Sequence, residues 1–223
     1  QTLNNTKMAD FLAIASKTFN FEGGFQQFPN DTANYCNNVL IGTNHGISAV
    51  AYKGYHGKCP TVAEMKALTK DQAKAIYKKN YWDVIQGDSI SNQSVAHIFF
   101  DAFIASGYVG LKRVKGYVNT YYGTTKIPVN SNSLTAADVA LINAADAKEL
   151  FDIAKAGEIA NRNSLVNSNP AKYGMFLKGW LNRLNSINFD GAATFVKRNP
   201  AIVILFAFIA MATTFAILKT VQA

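Results

Sequence analysis

Phe21-Glu22-Gly23-Gly24 closes the first amphipathic stretch of the chain, and its reading sets the reading of the rest. A carboxylate at the end of a helix, followed by two glycines that let the backbone turn away, stands at the lip of a cleft instead of on a solvated helix face. Glu22 is therefore the candidate catalytic acid. Phe19, Phe21 and Phe25 around it would desolvate the carboxyl group and keep its proton near neutrality.

Upstream, Met8, Phe11, Leu12, Ala15 and Phe19 recur at helical spacing after Asn4, Asn5 and Thr6, so residues 6–20 read as an amphipathic helix that positions Glu22. Downstream, residues 23–60 break into Gly, Pro, Asn and Asp with short apolar pieces such as Val39-Leu40-Ile41, which predicts loops with a small β-hairpin. Long irregular segments in compact domains usually carry function, and this one contains Asp31, Thr43, His45 and Ser48.

Thr61-Val62-Ala63-Glu64 and Thr69-Lys70-Asp71-Gln72 are capping boxes that open helices over 61–68 and 70–86. The second helix carries Ala73, Ile76, Tyr77, Tyr81 and Trp82 on one side. Residues 92–105 are apolar nearly all round, which predicts a central buried helix in which Asp101 needs a partner. The Gly/Tyr/Asn-rich stretch 106–134, with Tyr117, Tyr121 and Tyr122, reads as a connection and domain boundary. Helices follow from Thr135, over 146–163 and over 170–186.

The 223 residues carry a net charge of +8, which suits a polyanionic partner: nucleic acid, an anionic membrane or a wall polymer. The basic residues are scattered singly, without aromatic-interleaved blocks, so nucleic acid is not the expected partner. Residues 201–218 hold no charge and only Thr213 and Thr214 as polar residues. At about 1.5 Å per residue this run approaches the ~30 Å thickness of a bilayer core. Flanked by Lys197, Arg198 and Lys219, it reads as a C-terminal transmembrane anchor over 199–219 that contacts lipid through 201–218. The stronger positive flank lies on the body side, which by the positive-inside rule leaves the body cytoplasmic. An enzyme made there and later carried in a virus membrane would reconcile that orientation with an outside substrate.

The cysteines, Cys36 and Cys59, are too few for a zinc site. They are either separate buried thiols or one disulfide closing a loop of 24 residues. The disulfide is the favoured reading; it would contribute ~3 kcal/mol and imply an oxidising compartment or a virion surface.

Taken in order, Glu22-Gly23-Gly24, Asp31 nine residues after the glutamate, Gly42-Thr43-Asn44-His45-Gly46-Ile47 and Ile76-Tyr77-Lys78-Lys79-Asn80-Tyr81-Trp82 form a set. The set resembles glycoside hydrolase family 108, a lysozyme-like group. The second half resembles that family's companion peptidoglycan-binding helical domain through Arg162 and Phe176-Leu177-Lys178-Gly179-Trp180-Leu181-Asn182-Arg183. The resemblance covers roughly residues 8–185. It departs from the family pattern at Thr32 to Gly42, an insertion that includes Cys36, and after Asp101, where Ala105 and Ser106 stand in place of a usual Asn.

The resemblance implies a mainly α, lysozyme-like α+β fold with a small β-hairpin, plus the C-terminal transmembrane helix. The expected domains are a catalytic domain over 1–110, a helical peptidoglycan-binding region over 111–190 and the anchor. The implied activity is hydrolysis of the β-1,4 bond between N-acetylmuramic acid and N-acetylglucosamine, with inversion. Glu22 would protonate the leaving oxygen, Asp31 would steady the oxocarbenium-like state or activate water, and Thr43 would orient that water. His45, Tyr81 and Trp82 are the expected substrate contacts. No cofactor or metal is expected. Two alternatives stand beside this reading: a lytic transglycosylase and a catalytically inactive wall-binding or scaffolding protein. The expected location is a virus internal membrane or the bacterial inner membrane, in assembly with other membrane or virion proteins, for local wall opening as a virus enters or leaves.

Overall fold

The computed structural model describes residues 8–18 and 23–190. Helix α1 (Phe11–Thr18) starts on Asp10, whose carboxylate accepts from the Leu12 amide at 2.9 Å. Its start is tied to the central helix, because the Asp10 amide donates to Gln93 and the Gln93 amide group donates back to the Asp10 carbonyl. Phe11 packs on Trp82 and Phe100, so the helix leading toward Glu22 is mounted on the core.

The irregular stretch holds two small antiparallel hairpins. Strands β1 (Tyr35–Cys36) and β2 (Val39–Leu40) pair, as do β3 (Thr43–Asn44) and β4 (Ile47–Ser48). Residues 49–56, expected as loop, instead form helix α2 (Ala49–His56), capped by the Ser48 hydroxyl and closed by Gly57 in the left-handed conformation. Burial of Ala49, Ala51 and Tyr52 supplies what the short sequence pattern lacks.

Both capping boxes form and open α3 (Val62–Ala67) and α4 (Lys70–Tyr77). The helix expected to run to residue 86 passes at Lys78–Trp82 into a π-helical turn. Central helix α5 (Gln93–Tyr122) is capped by Asn92 and buried along Ser94–Phe103. It continues through the stretch expected as a connection, broken only at Gly107 (φ 55°, ψ −141°). Glycines that read as loop signals serve this break: a Cβ on Gly110 would lie 1.9 Å from the Ala102 carbonyl oxygen. The expected boundary at 110/111 thus falls inside α5, just past the break.

Helices α6 (Ala136–Ala144) and α7 (Ala147–Ser168) follow, with Thr135 and Asp146 as their N-caps. After them come α8 (Pro170–Tyr173), a 3₁₀ turn and α9 (Leu177–Ser186). Helix α7 lies along α5, and α9 along α7. The tyrosines of α5 are structural: Tyr117 donates to Glu158, Tyr122 donates to the Leu141 carbonyl, and Tyr121 accepts from the Asp146 amide.

Buried charge joins the three helices. Asp101, 2% exposed, accepts from Arg183 of α9. Glu158, 0% exposed, accepts from Arg113 at 2.7 Å and lies 3.2 Å from Arg162 one turn away. Burial pulls the Arg162 guanidinium below its ordinary range. The Ser106 hydroxyl accepts from both Arg113 and Arg162 at the α5 break.

Helix α5 is long and apolar enough to cross a membrane by length and composition, but most of that run is buried inside the fold, as in a core helix. The expected anchor over 199–219 lies outside the described residues.

Candidate active site

Glu22 itself lies outside the described residues; the structure begins again at Gly23. Neither Gly23 nor Gly24 takes the left-handed conformation, and a Cβ on either would meet nothing within 4 Å. What they leave is bare, exposed backbone beside the candidate acid, which a ligand can approach closely. Phe25 is half-buried, with the Lys66 ammonium 5.1 Å over its ring.

From there the chain is laid against the loop that carries the other candidates. Gln26 and Thr43 exchange two backbone hydrogen bonds of 2.8 Å, and the Gln27 side chain donates to the Leu40 and Ile41 carbonyls. Gly42 makes this approach possible: its φ is 110°, and a Cβ there would lie 2.5 Å from the Gln26 carbonyl oxygen. The segment that follows Glu22-Gly23-Gly24 is thereby fastened to Thr43.

The hub of the loop is Asn34, which is fully buried. Its backbone carbonyl accepts from the amides of Ile41 and Gly42, and its side-chain amide donates to the Phe28 carbonyl at 3.1 Å. Its side-chain oxygen accepts the hydroxyl proton of Thr43. That last bond fixes the polarity of Thr43: with its proton committed to Asn34, the hydroxyl has only lone pairs left to offer another group. Thr43 is 7% exposed.

Asp31 sits in the same loop, exposed, as the N-cap of the 3₁₀ turn Thr32–Asn34, its carboxylate accepting from the Ala33 amide at 3.0 Å. The insertion over 32–42 is thus this turn plus the β1–β2 hairpin, folded back on Phe28 and Gly42. Cys36 of the insertion forms a disulfide with Cys59, Cα to Cα 5.8 Å, which joins the hairpin to the chain just past α2. His45 is half-buried in the left-handed conformation (φ 48°) at the β3–β4 turn, while the Asn44 amide is turned inward to the Met65 and Lys66 carbonyls.

Asp31, Thr43 and His45 are brought together by one loop system; the remaining two candidates are not part of it. Trp82 is fully buried, packs on Phe11 and Phe100, and donates its indole N–H to Asp88 at 2.6 Å. It presents no surface to a substrate, which corrects its expected role. Tyr81 is half-buried against Phe103 and Tyr77, its phenol pushed up by burial and by nearby Tyr108. Asp101, weighed from sequence as an odd buried carboxylate, is a structural ion-pair member. Asn34 and Gln26 were not visible as site residues from sequence, because one polar residue in a polar insertion carries no periodic or motif signal.

The described part of the candidate site, Asp31, Thr43 and His45, is thus carried by loops on a helical body. Residues 15–107 match the family model of glycosyl hydrolase 108. It is similar to the solved structure of SagA from Brucella abortus, at 25% sequence identity and a TM-score of 0.60, over 79% of this chain and 90% of that one. No curated protein matches the chain. The match over 15–107 supports a glycoside hydrolase activity for this chain.

Proposed function

We propose that the protein is a muramidase that cleaves the β-1,4 bond between N-acetylmuramic acid and N-acetylglucosamine, with Glu22 as general acid. The observation that carries the proposal is the pairing of Gln26 with Thr43, which fastens the strand leaving Glu22 to the loop holding Asp31. In this mechanism Glu22 gives its proton to the leaving oxygen. Thr43, its own proton held by Asn34, accepts from the attacking water and leaves the water's lone pair directed at the sugar. Asp31 takes the water's second proton or steadies the oxocarbenium-like state. His45 and Tyr81 border the substrate.

The catalytic domain extends over 1–110, the helical region 111–190 engages the wall, and 199–219 anchors the chain in a virus internal membrane or the bacterial inner membrane. So held, the enzyme opens the wall locally as a virus enters or leaves, in company with other membrane or virion proteins. The low-charge apolar run 201–218 supports the anchor, and the disulfide supports maturation in an oxidising setting. The test is mass analysis of products from purified peptidoglycan. Muropeptides ending in a reducing N-acetylmuramic acid are the expected result. Anhydro ends would make the protein a lytic transglycosylase, and wall binding without products would make it a scaffold.

A further inference from the structure

The turn between α8 and α9 exposes a cluster that no part of the catalytic argument uses. Met175 is 81% exposed and Phe176 45%. The Phe176 ring stacks on Trp180 at 5.7 Å, and Tyr173 lies 6.2 Å from Trp180. Lys172, over the Tyr173 ring at 5.1 Å, and Lys178 are exposed beside it.

We propose that this face lies on the bilayer, with Met175, Phe176 and the edge of Trp180 in the interfacial layer and Lys172 and Lys178 against anionic headgroups. The inference rests on the anchor reading of 201–218. Three observations favour a lipid surface as the occupant. First, charge is complementary: between Glu158 and Asp190 the sequence has no carboxylate, and its cations are Arg162, Lys172, Lys178 and Arg183. The two arginines are consumed by Glu158 and Asp101, which leaves the two lysines facing outward. Aromatic residues with flanking lysines are the composition of interfacial segments.

Second, the cluster is a poor sugar platform. A sugar ring docks flat on a free aromatic face, whereas the π-surface of Trp180 is already taken by Phe176 and by the Arg162 guanidinium 5.6 Å from its centroid. What protrudes is a methionine and ring edges. Third, the lengths fit. Phe189, just before the last described residue, packs on Phe151 near the start of α7, and Trp180 of the cluster lies against Arg162 further along the same helix. At about 1.5 Å per residue that separation is roughly 16 Å. Residues 191–200 lead from the body to the apolar run, and such a segment extends up to about 35 Å. The anchor and the cluster can therefore meet the same bilayer.

Trp82 and Trp180 are the chain's only tryptophans, and Trp82 is fully buried, so tryptophan fluorescence reads this face directly. The full chain is reconstituted into phosphatidylglycerol-containing vesicles made with or without acyl-brominated lipid. The expected result is co-flotation with vesicles and strong bromolipid quenching of the wild type. Trp180→Phe, which leaves only Trp82, should lose the quenched component. Met175→Asp with Phe176→Asp should float equally well, keep its circular dichroism and lose most of the quenching. A chain that does not float overturns the anchor reading, and this proposal with it. A chain that floats but is not quenched, or a double variant quenched like the wild type, overturns this proposal alone. So does protection of Trp180 by soluble glycan strands with no effect of bromolipid, which would assign the face to peptidoglycan.

Discussion

Two regions of this protein solve the same problem by opposite means. In the loop system over 25–48, polar backbone is held in place by two buried amides, Asn34 and Asn44, a glycine with φ of 110° and a disulfide. In the α5–α7–α9 unit, three helices are locked by buried charge: Asp101 with Arg183, and Glu158 with Arg113, Arg162 and Tyr117. The first region has little apolar surface to bury, so its order depends on a few directional bonds. The second has a large core, and its ion pairs sit among groups that cannot be left alone once dehydrated. The proposed chemistry draws on the first region, where Asp31 is exposed, His45 is half-buried and Thr43 is buried against Asn34.

Removing one charge from the helical unit should have the largest effect. Glu158→Ala leaves buried Arg162 and half-buried Arg113 without their carboxylate partner and is expected to cost ~3–5 kcal/mol in urea unfolding, with kcat per folded molecule unchanged. A loss of activity at full stability would erase the contrast. Next, Cys36→Ser with Cys59→Ser should cost about 3 kcal/mol, and here activity should fall as well because the hairpin beside Asp31 is released.

Asn34→Ala sharpens the comparison by separating geometry from stability. It should cost ~1–3 kcal/mol, since it strands the Thr43 hydroxyl and the Phe28 carbonyl. It should also lower kcat on the order of 10²-fold, with KM nearly unchanged, because the water-orienting hydroxyl is freed to turn. Thr43→Val should reproduce the kcat loss; normal turnover in either variant would remove Thr43 from the mechanism.

The smallest effect is a pH dependence of the helical unit. The Tyr117 phenol is pushed up by burial first and then by the Glu158 carboxylate it donates to. A group whose folded pKa is raised contributes stability that is complete below its unfolded value, about 10 for a phenol, and is lost as pH rises beyond it. Urea midpoints should fall above pH 10, and Tyr117→Phe should fall less steeply than the wild type.

Most of the helical body is legible in the sequence because its signals are local. Thr61, Thr69 and Thr135 each bring an acceptor three residues on, and all three become caps. Asp101 was readable as a carboxylate needing a partner, but that partner is 82 residues away, on a helix whose position no local pattern encodes. Helix α2 was missed because its eight residues, with Gly54 inside and Gly57 after, resemble the surrounding loop until the core covers them. The continuation of α5 was missed because Gly107 and Gly110 look like loop residues when their function is a break and a close crossing. Among the described candidates, the shared loop of Asp31 and Thr43 was legible, while Asn34, which holds that loop, was not. Trp82 was misread because a tryptophan beside a tyrosine at helical spacing suits a core as well as a substrate face.

The central claim is that the acid beside the bare glycines performs the reaction. Its most direct test is release of reducing ends from purified peptidoglycan by the full chain and by Glu22→Gln. The variant should keep its melting temperature and its wall binding and lose at least ~10²-fold in rate, as removal of a general acid requires. Equal release by both proteins would contradict the account and move the acid elsewhere.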